Sequence, residues 1–423
     1  MGDYHMWIGG KPADGSHRLD VINPATGDVF ATVPRATTAE ADAAIAAGKA
    51  AQPAWGALPH ATRAAALVRL ADAIAARKDE LARLLTLEQG KPLPEAQGEL
   101  AWTEGYLRHY ATLELPDRVI QDDKAGYVAV QHRPLGVVVG IIAWNFPLLV
   151  ACWKIGPAVL AGNAIVLKPA PTTPVTALVL GEICNQVFPA GIVNVITDAN
   201  DLGPYLTAHR DVAKVAFTGS TATGKRIAAS GADTIKRITL ELGGNDAAIV
   251  LDDVDVRKTA QAIFANAFLN CGQVCLAIKR AYVHADIYDA MCAELARLAE
   301  VAVVGDGLEQ GTAIGPIQNR AQFEKVKGFL VAARAEGTVI AGGKAMERAG
   351  YFIEPTIVCD VTDGAKIVDE EQFGPILPVI RFDDIEDVIA RANASDYGLG
   401  GSVWSKDIGK AASLATRIAA GQV

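Results

Sequence analysis

The sequence predicts an α/β protein built from two doubly wound parallel-sheet domains plus a small β-hairpin arm. Three observations lead there. From Gly136 onward, short apolar runs alternate with helical segments, the pattern of a parallel sheet covered on both faces. At 423 residues the chain exceeds what one hydrophobic core usually supports, which calls for two domains. Residues 117–135 alternate apolar and polar side chains around Lys124-Ala125-Gly126, which signals a two-stranded hairpin with one solvated face. The expected division is 1–116 with 136–243 as one domain, 117–135 as the arm and 244–423 as the second domain, with the boundary near Gly243-Gly244.

Taken in order, residues 7–35 read as short strands broken by Gly-Gly, Asp-Gly, Asn-Pro and Thr-Gly-Asp turns, a capping meander. From Thr38 to about Leu85, apolar residues such as Leu67, Leu70, Ile74, Leu81 and Leu85 recur at three- and four-residue steps, and two amphipathic helices account for them. Gly90-Lys91-Pro92 stops the second, and Leu100 to Leu113 forms a further helix. The first sheet draws its strands from 137–143, 164–167, 193–196, 215–218 and 239–241, with helices near 148–160, 174–188, 201–209 and 222–230. The second unit opens with a strand at 247–251 and a helix at about 254–269. A strand at 281–284, helices near 287–300 and 319–335, and strands at 377–382 and 401–404 around a helix at 385–393 complete it. Ligands of such sheets bind beyond the carboxyl ends of the strands, so Trp144-Asn145, Lys168, Gly219-Ser220 and Glu241 fall on the functional edge.

Composition removes several classes of function. Hydrophobic residues at 51% and charged ones at 21% are an ordinary globular balance that leaves no room for long disorder. Lys+Arg 39 against Asp+Glu 48 gives a net charge of −9 with no basic stripe, so nucleic acid is not an expected partner. The six cysteines are sparse and irregularly spaced, unlike a disulfide framework or a zinc site, so no metal is expected and a reducing compartment fits. The N-terminus lacks the regions of a signal peptide, and the apolar run from Val137 to Trp144 is too short to span a bilayer. The expectation is a soluble cytoplasmic protein with no membrane partner.

Several stretches carry possible chemistry. Asn270-Cys271-Gly272-Gln273-Val274-Cys275 presents two thiols near a glycine; Cys275 reads as a nucleophile that needs help to become a thiolate, or as a small core hydrophobe. The G-x-G-x-x-G dinucleotide fingerprint is absent. Gly219-Ser220-Thr221-Ala222-Thr223-Gly224-Lys225 reproduces the first seven positions of a P-loop, but the eighth, which must offer magnesium a hydroxyl, is Arg226. A glycine-serine helix start still suits one pyrophosphate, or serves as a plain cap. Asn145 at a strand end can donate to an oxyanion or form a turn before Pro147. Glu241 can act as a general base or join an ion pair. Lys168 is a ligand contact or a solvated charge, and Glu371-Gln372-Phe373-Gly374-Pro375 alone suggests a surface loop.

Together these pieces form a pattern. Asn145 in AWNFP, Lys168 in LKPA, FTGSTATG at 217–224, LELGG at 240–244, GQVC at 272–275 and EQFGP at 371–375 stand in an order and spacing that resemble the NAD(P)-dependent aldehyde dehydrogenase superfamily, from about Trp7 to the last residue. The resemblance implies a cofactor-binding domain, a catalytic domain and an oligomerisation arm. It implies Cys275 as nucleophile, Asn145 and the Cys275 backbone N–H as oxyanion donors, and Glu241 as the base that activates water against a thioester. It implies cofactor contacts from Ile142, Trp144, Lys168, Gly219, Ser220, Thr223, Leu242, Glu371 and Phe373, with Cys271 as a packing neighbour. The expected cofactor is NAD, with NADP possible; the expected substrate is a small aldehyde, and the expected assembly a homodimer or homotetramer through the arm. A catalytically inactive binding or assembly protein and a P-loop-type hydrolase are the alternatives.

Two departures bear on these expectations. Many NAD-preferring relatives carry a glutamate three residues after the lysine, where this chain has Pro171; without that carboxylate a 2′-phosphate is not repelled. The sequence also stops at Val423, where relatives usually continue for several tens of residues that hold a pocket loop, a closing strand and the partner strand of the arm. The expectation is therefore a truncated chain in which pocket and assembly lack those parts.

Overall fold

The computed structural model describes residues 3–423. Their elements run β1 (Met6–Ile8), β2 (Lys11–Ala13), β3 (His17–Ile22), β4 (Val29–Arg35), α1 (Thr38–Gly56), α2 (His60–Ala76), α3 (Lys78–Gln89) and α4 (Leu93–Tyr110). Then follow β5 (Arg118–Asp123), β6 (Gly126–Val130), β7 (Val137–Ile141), α5 (Pro147–Leu160), β8 (Ala164–Lys168), α6 (Val175–Val187), β9 (Val193–Val195), α7 (Gly203–Ala208), β10 (Val212–Thr218), α8 (Thr221–Gly231) and β11 (Arg237–Glu241). The remainder comprises β12 (Asp246–Val250), α9 (Val256–Phe268), β13 (Ile278–His284), α10 (Tyr288–Val301), α11 (Arg320–Glu336), β14 (Thr338–Ala341), β15 (Thr356–Cys359), α12 (Lys366–Asp369), β16 (Ile376–Phe382), α13 (Ile385–Asn393), β17 (Gly401–Trp404) and α14 (Ile408–Ala415).

The chain divides into two compact units, one of residues 1–22, 29–88 and 96–241, the other of 23–28, 89–95 and 242–423. The short 23–28 and 89–95 segments, expected with the first domain, cluster with the second because their backbone bonds lead there. Tyr351 N–H donates to the Pro24 carbonyl at 3.0 Å, and Leu93 N–H to that of Gly307 at 2.9 Å. The arm clusters with the first unit.

In the first unit the sheet order is β11-β10-β7-β8-β9-β1-β2, with β7 to β11 mutually parallel. The β-branched runs of β7 and β8 are buried at every position, as strands covered on both faces must be. Close contacts at two glycines identify the covers: a Cβ on Gly48 of α1 would meet Ala164 and Val137, and one on Gly140 would meet Leu167 and the Lys154 stem of α5. Val137 and Gly140 lie three residues apart on β7 and so face opposite ways, which puts α1 and α5 on opposite faces. The expected capping meander is only partly separate. β1 and β2 extend this sheet antiparallel beyond β9, and β3 with β4 forms the independent pair.

Three helices, not two, fill 38–89. Pro59 separates α1 from α2, and Arg77 leaves helical geometry as the C-cap of α2 before α3 begins. The arm is the antiparallel pair β5–β6, closed Asp123 to Gly126, with Val119, Ile120, Tyr127, Val128 and Val130 all exposed.

In the second unit the order is β14-β15-β16-β13-β12-β17, parallel except for β14. Its core packs Ile249, Tyr282, Val379 and Phe382 of the central strands against Met291, Leu295 and Phe329 of the helices. The strands β14 and β15 and the short helices α12 and α14 were not among the elements expected from the sequence. Among the described residues no helix is long and apolar enough to cross a membrane.

Candidate active site

In the first unit the predicted residues cluster at the carboxyl ends of the parallel strands. β7 ends at Ile141; Ile142 N–H donates to the Lys168 carbonyl at 2.9 Å, joining that end to the end of β8. Trp144 is half-buried and Asn145 buried in the turn that leads into α5. A buried carboxylate fixes that turn: Glu99 of α4 accepts the first free amides of α5, from Leu148 at 3.0 Å and Leu149 at 3.1 Å. Glu88 of α3 does the same for α6, accepting from Val175 at 2.7 Å, and burial pushes its carboxyl up to about 7.

Glu241 closes β11, paired in register with Thr218, and its carbonyl accepts Gly219 N–H at 3.0 Å. Its side chain faces solvent. Ser220 caps α8 by accepting Thr223 N–H at 3.4 Å, and this exposed helix start leaves the other early amides available to an anion. Arg226 donates to Thr223 Oγ1 at 3.3 Å, so the position where a P-loop places a hydroxyl carries a cation. Near Glu241 lies Lys154 of α5, buried, donating to Thr218 Oγ1 at 2.8 Å; burial lowers its pKa to about 8.

Lys168 is no solvated charge. Its ammonium meets Asp198 at 2.7 Å with both side chains essentially inaccessible, and the other Asp198 oxygen accepts Leu202 N–H at 2.9 Å.

In the second unit three of the sequence motifs meet. α9 ends at Phe268, and the chain turns sharply through Asn270, Cys271 and Gly272, all left-handed with φ of 51°, 57° and 71°. Two non-glycine residues in that region are strained, and the surroundings hold them there. Asn270 N–H donates to the Glu95 carboxylate at 2.9 Å, and the buried Gln273 side chain bridges the Asn270 carbonyl at 2.9 Å and Gln318 N–H at 2.9 Å. Gly272 has its α-carbon against the Gly374 backbone, where no Cβ would fit. Cys271 is 1% exposed and belongs to the core. Cys275 is half-buried, whereas the other five cysteines are buried and none forms a disulfide.

The Leu242-Gly243-Gly244 segment runs beside this loop. A Cβ on Gly244 would lie 2.5 Å from the Cys275 carbonyl oxygen, and one on Gly243 would collide with the Glu371 carboxylate. Glu371 accepts Gly244 N–H at 3.1 Å, and Gln322 holds the carbonyls of Gln372 and Phe373 at 3.0 and 2.9 Å. Phe373 is itself left-handed, at φ 50°. Burial pushes the Cys275 thiol up; Glu371 and Asp246 add to that, and Lys279 with the Leu276 N–H opposes it.

Residues 11–423 match the aldehyde dehydrogenase family. The chain belongs to that family. It is 40% identical over 406 residues to the NADP(+)-linked succinate-semialdehyde dehydrogenase GabD of Escherichia coli, covering 94% of this chain and 84% of the relative. It is 40% identical over 417 residues to a betaine aldehyde dehydrogenase of Rhizobium etli, covering 95% and 84%. A solved NAD+ complex of an aldehyde dehydrogenase from Bacillus cereus superposes with a TM-score of 0.97 at 38% identity, over 100% of this chain and 88% of that one. This aldehyde dehydrogenase is accordingly an NAD(P)-dependent oxidoreductase of mixed α/β fold with parallel-sheet domains.

Several polar residues of this aldehyde dehydrogenase escaped the sequence reading: Glu88, Glu99, Asp198, Lys154, Glu95 and Lys279. Glu95 is half-buried and the rest are buried, and each acts on a partner distant in sequence or on a neighbouring backbone. The available signal was a charged residue inside an apolar stretch, as with Lys154 in α5 and Lys279 in β13.

Proposed function

We propose that this aldehyde dehydrogenase forms a covalent adduct between its aldehyde and Cys275, and hydrolyses the resulting thioester with water activated by Glu241. The observation that carries this reading is the accessibility of Cys275, the one thiol among six that is not buried, on a loop whose backbone is over-determined. The Cys275 thiolate attacks the carbonyl carbon, and the oxyanion is held by the Asn145 side-chain amide and the Cys275 backbone N–H. Bound NAD(P)+ supplies the hydride acceptor. Glu241 then takes a proton from water as its oxygen adds to the thioester carbon, the C–S bond breaks, and the carboxylic acid leaves with the thiol restored.

The chain's residues suit the cofactor. The exposed start of α8, with Gly219, Ser220 and Thr223, fits a pyrophosphate. The Glu371 carboxylate, set by Gly244 N–H, fits a ribose diol, with Phe373 beside it and Ile142, Trp144, Lys168 and Leu242 completing the expected contacts. NAD is the favoured form. The substrate is a small aldehyde. The exposed apolar residues of β5–β6 support assembly of two or four copies through the arm. Six free cysteines fit a cytoplasmic setting.

Reduction of NAD+ and NADP+ across an aldehyde panel tests the reading. Cys275→Ala is expected to abolish it, and Glu241→Gln to give one equivalent of reduced cofactor and then stall at the thioester. Full turnover by Cys275→Ala would end the proposal.

A further inference from the structure

Lys279, the second residue of β13, is 3% exposed, which is rare for lysine unless its charge is matched. An ammonium has three N–H donors; here two backbone carbonyls accept from it and a carboxylate lies at ion-pair distance. The Val274 carbonyl lies at 2.7 Å, the Cys275 carbonyl at 3.0 Å and Glu371 Oε1 at 3.7 Å. The ring of Phe373 is centred 5.9 Å away. The two carbonyls are those of Cys275 and of the residue before it, and the carboxylate is the one that also takes Gly244 N–H.

We infer that Lys279 is a positioning residue, a buried cation that ties the Val274–Cys275 backbone to the Glu371 carboxylate and shields the thiol from the acidic groups behind it. This rests on Cys275 being the nucleophile. Two carboxylates oppose ionisation of the thiol: Glu371 from the loop before β16, and Asp246 from the start of β12, whose pKa burial raises to about 6. The cations there are Lys279 and its neighbour Arg280, and Arg280 is turned away, donating to the carbonyls of Asn245 at 2.8 Å and Ala392 at 3.1 Å. Lys279 is thus the positive charge that favours the thiolate; Leu276 N–H is the other group that does so. Burial pulls the Lys279 pKa down, while Glu371, Asp246 and Cys275 hold it up.

The clamp also has a geometric consequence. Both carbonyls it holds flank the Cys275 amide, so the direction of that N–H, the proposed oxyanion donor, is set by the same cation. Loss of the ammonium removes one tie from the loop and one from the carboxylate, each of which keeps its other hydrogen bonds.

The test measures the thiol itself, independent of turnover: the rate of Cys275 alkylation by iodoacetamide between pH 6 and 9, followed by peptide mass in protein shown to be folded by circular dichroism. Lys279→Met is expected to move the midpoint up by about one unit or more, because the carboxylates are then unopposed. Lys279→Arg keeps the charge and is expected to stay near the parent value. Glu371→Gln removes one opposing carboxylate and is expected to lower the midpoint, which keeps the inference open to refutation if Lys279→Met does not fold. An unmoved midpoint in folded Lys279→Met, or in Glu371→Gln, overturns the inference and leaves the Cys275 reading standing. Full activity in Cys275→Ala would instead remove the reading beneath it.

Discussion

The Lys168 ammonium and the Asp198 carboxylate, thirty residues apart in sequence, form a 2.7 Å ion pair with side chains 2% and 0% exposed. Asp198 follows β9, the strand beside β8, so a carboxylate reaches the lysine from the neighbouring strand although Pro171 occupies the position where one was sought. A paired Lys168 offers no free cation to a 2′-phosphate. The enzyme is therefore expected to prefer NAD over NADP, and Asp198→Asn to shift the ratio of kcat/KM values toward NADP. A parent enzyme faster with NADP at equal concentration would refute this.

The same pair carries a stability prediction. Removing one partner of a buried pair leaves the other charge uncompensated, at a cost of about 3–5 kcal/mol. Asp198→Ala is expected to lose that much in urea unfolding, and Asp198→Ala/Lys168→Met to recover a large part of it. Equal losses in the single and double variants would show that the pair is not what the carboxylate serves.

Gly244 gives a prediction about geometry. A Cβ there would stand 2.5 Å from the Cys275 carbonyl and 2.8 Å from Asp246 Oδ1, both in well-anchored segments, so the nucleophile loop must shift. Misplacement by an ångström costs about 10²-fold in rate, and Gly244→Ala is expected to lower kcat by that order. Gly328 of α11 has open space around it; Gly328→Ala is expected to leave kcat alone and to stabilise by about 0.5–1 kcal/mol. Steady-state kinetics with thermal melts on both variants provides the check.

What the sequence made legible follows from what each signal requires. β7, β8 and β12 announced themselves as apolar runs because both faces are buried, and the helices around them by their period. β14 and β15 went unread although β17, of the same length, was read, and α2 and α3 merged because one residue, Arg77, separates them. Gly243-Gly244, Cys275 and Glu371 were visible as separate motifs, and the fold brings them into contact. Lys279 and Asp198 were not visible as partners, since a lone charge reads as solvated until the fold shows what lies against it.

Glu95 carries the last prediction, on pH. Its half-buried carboxylate accepts Asn270 N–H of the left-handed turn; desolvation raises its pKa to about 7, against the pull of Lys91 and of that hydrogen bond. An unfolded glutamate titrates near ~4.3, so between there and about 7 the folded chain holds a proton that the unfolded chain has lost. The stability from this group is thus full below ~4.3 and disappears as pH rises through about 7. Glu88 and Asp246, raised to about 7 and about 6, act with the same sign, so the difference between variant and parent is the informative quantity. Glu95→Gln keeps an oxygen to accept Asn270 N–H but cannot ionise. Its stability relative to the parent is expected to rise from pH 5 to pH 8 in urea unfolding, and a difference that stays flat over that range would show that Glu95 titrates alike in both states.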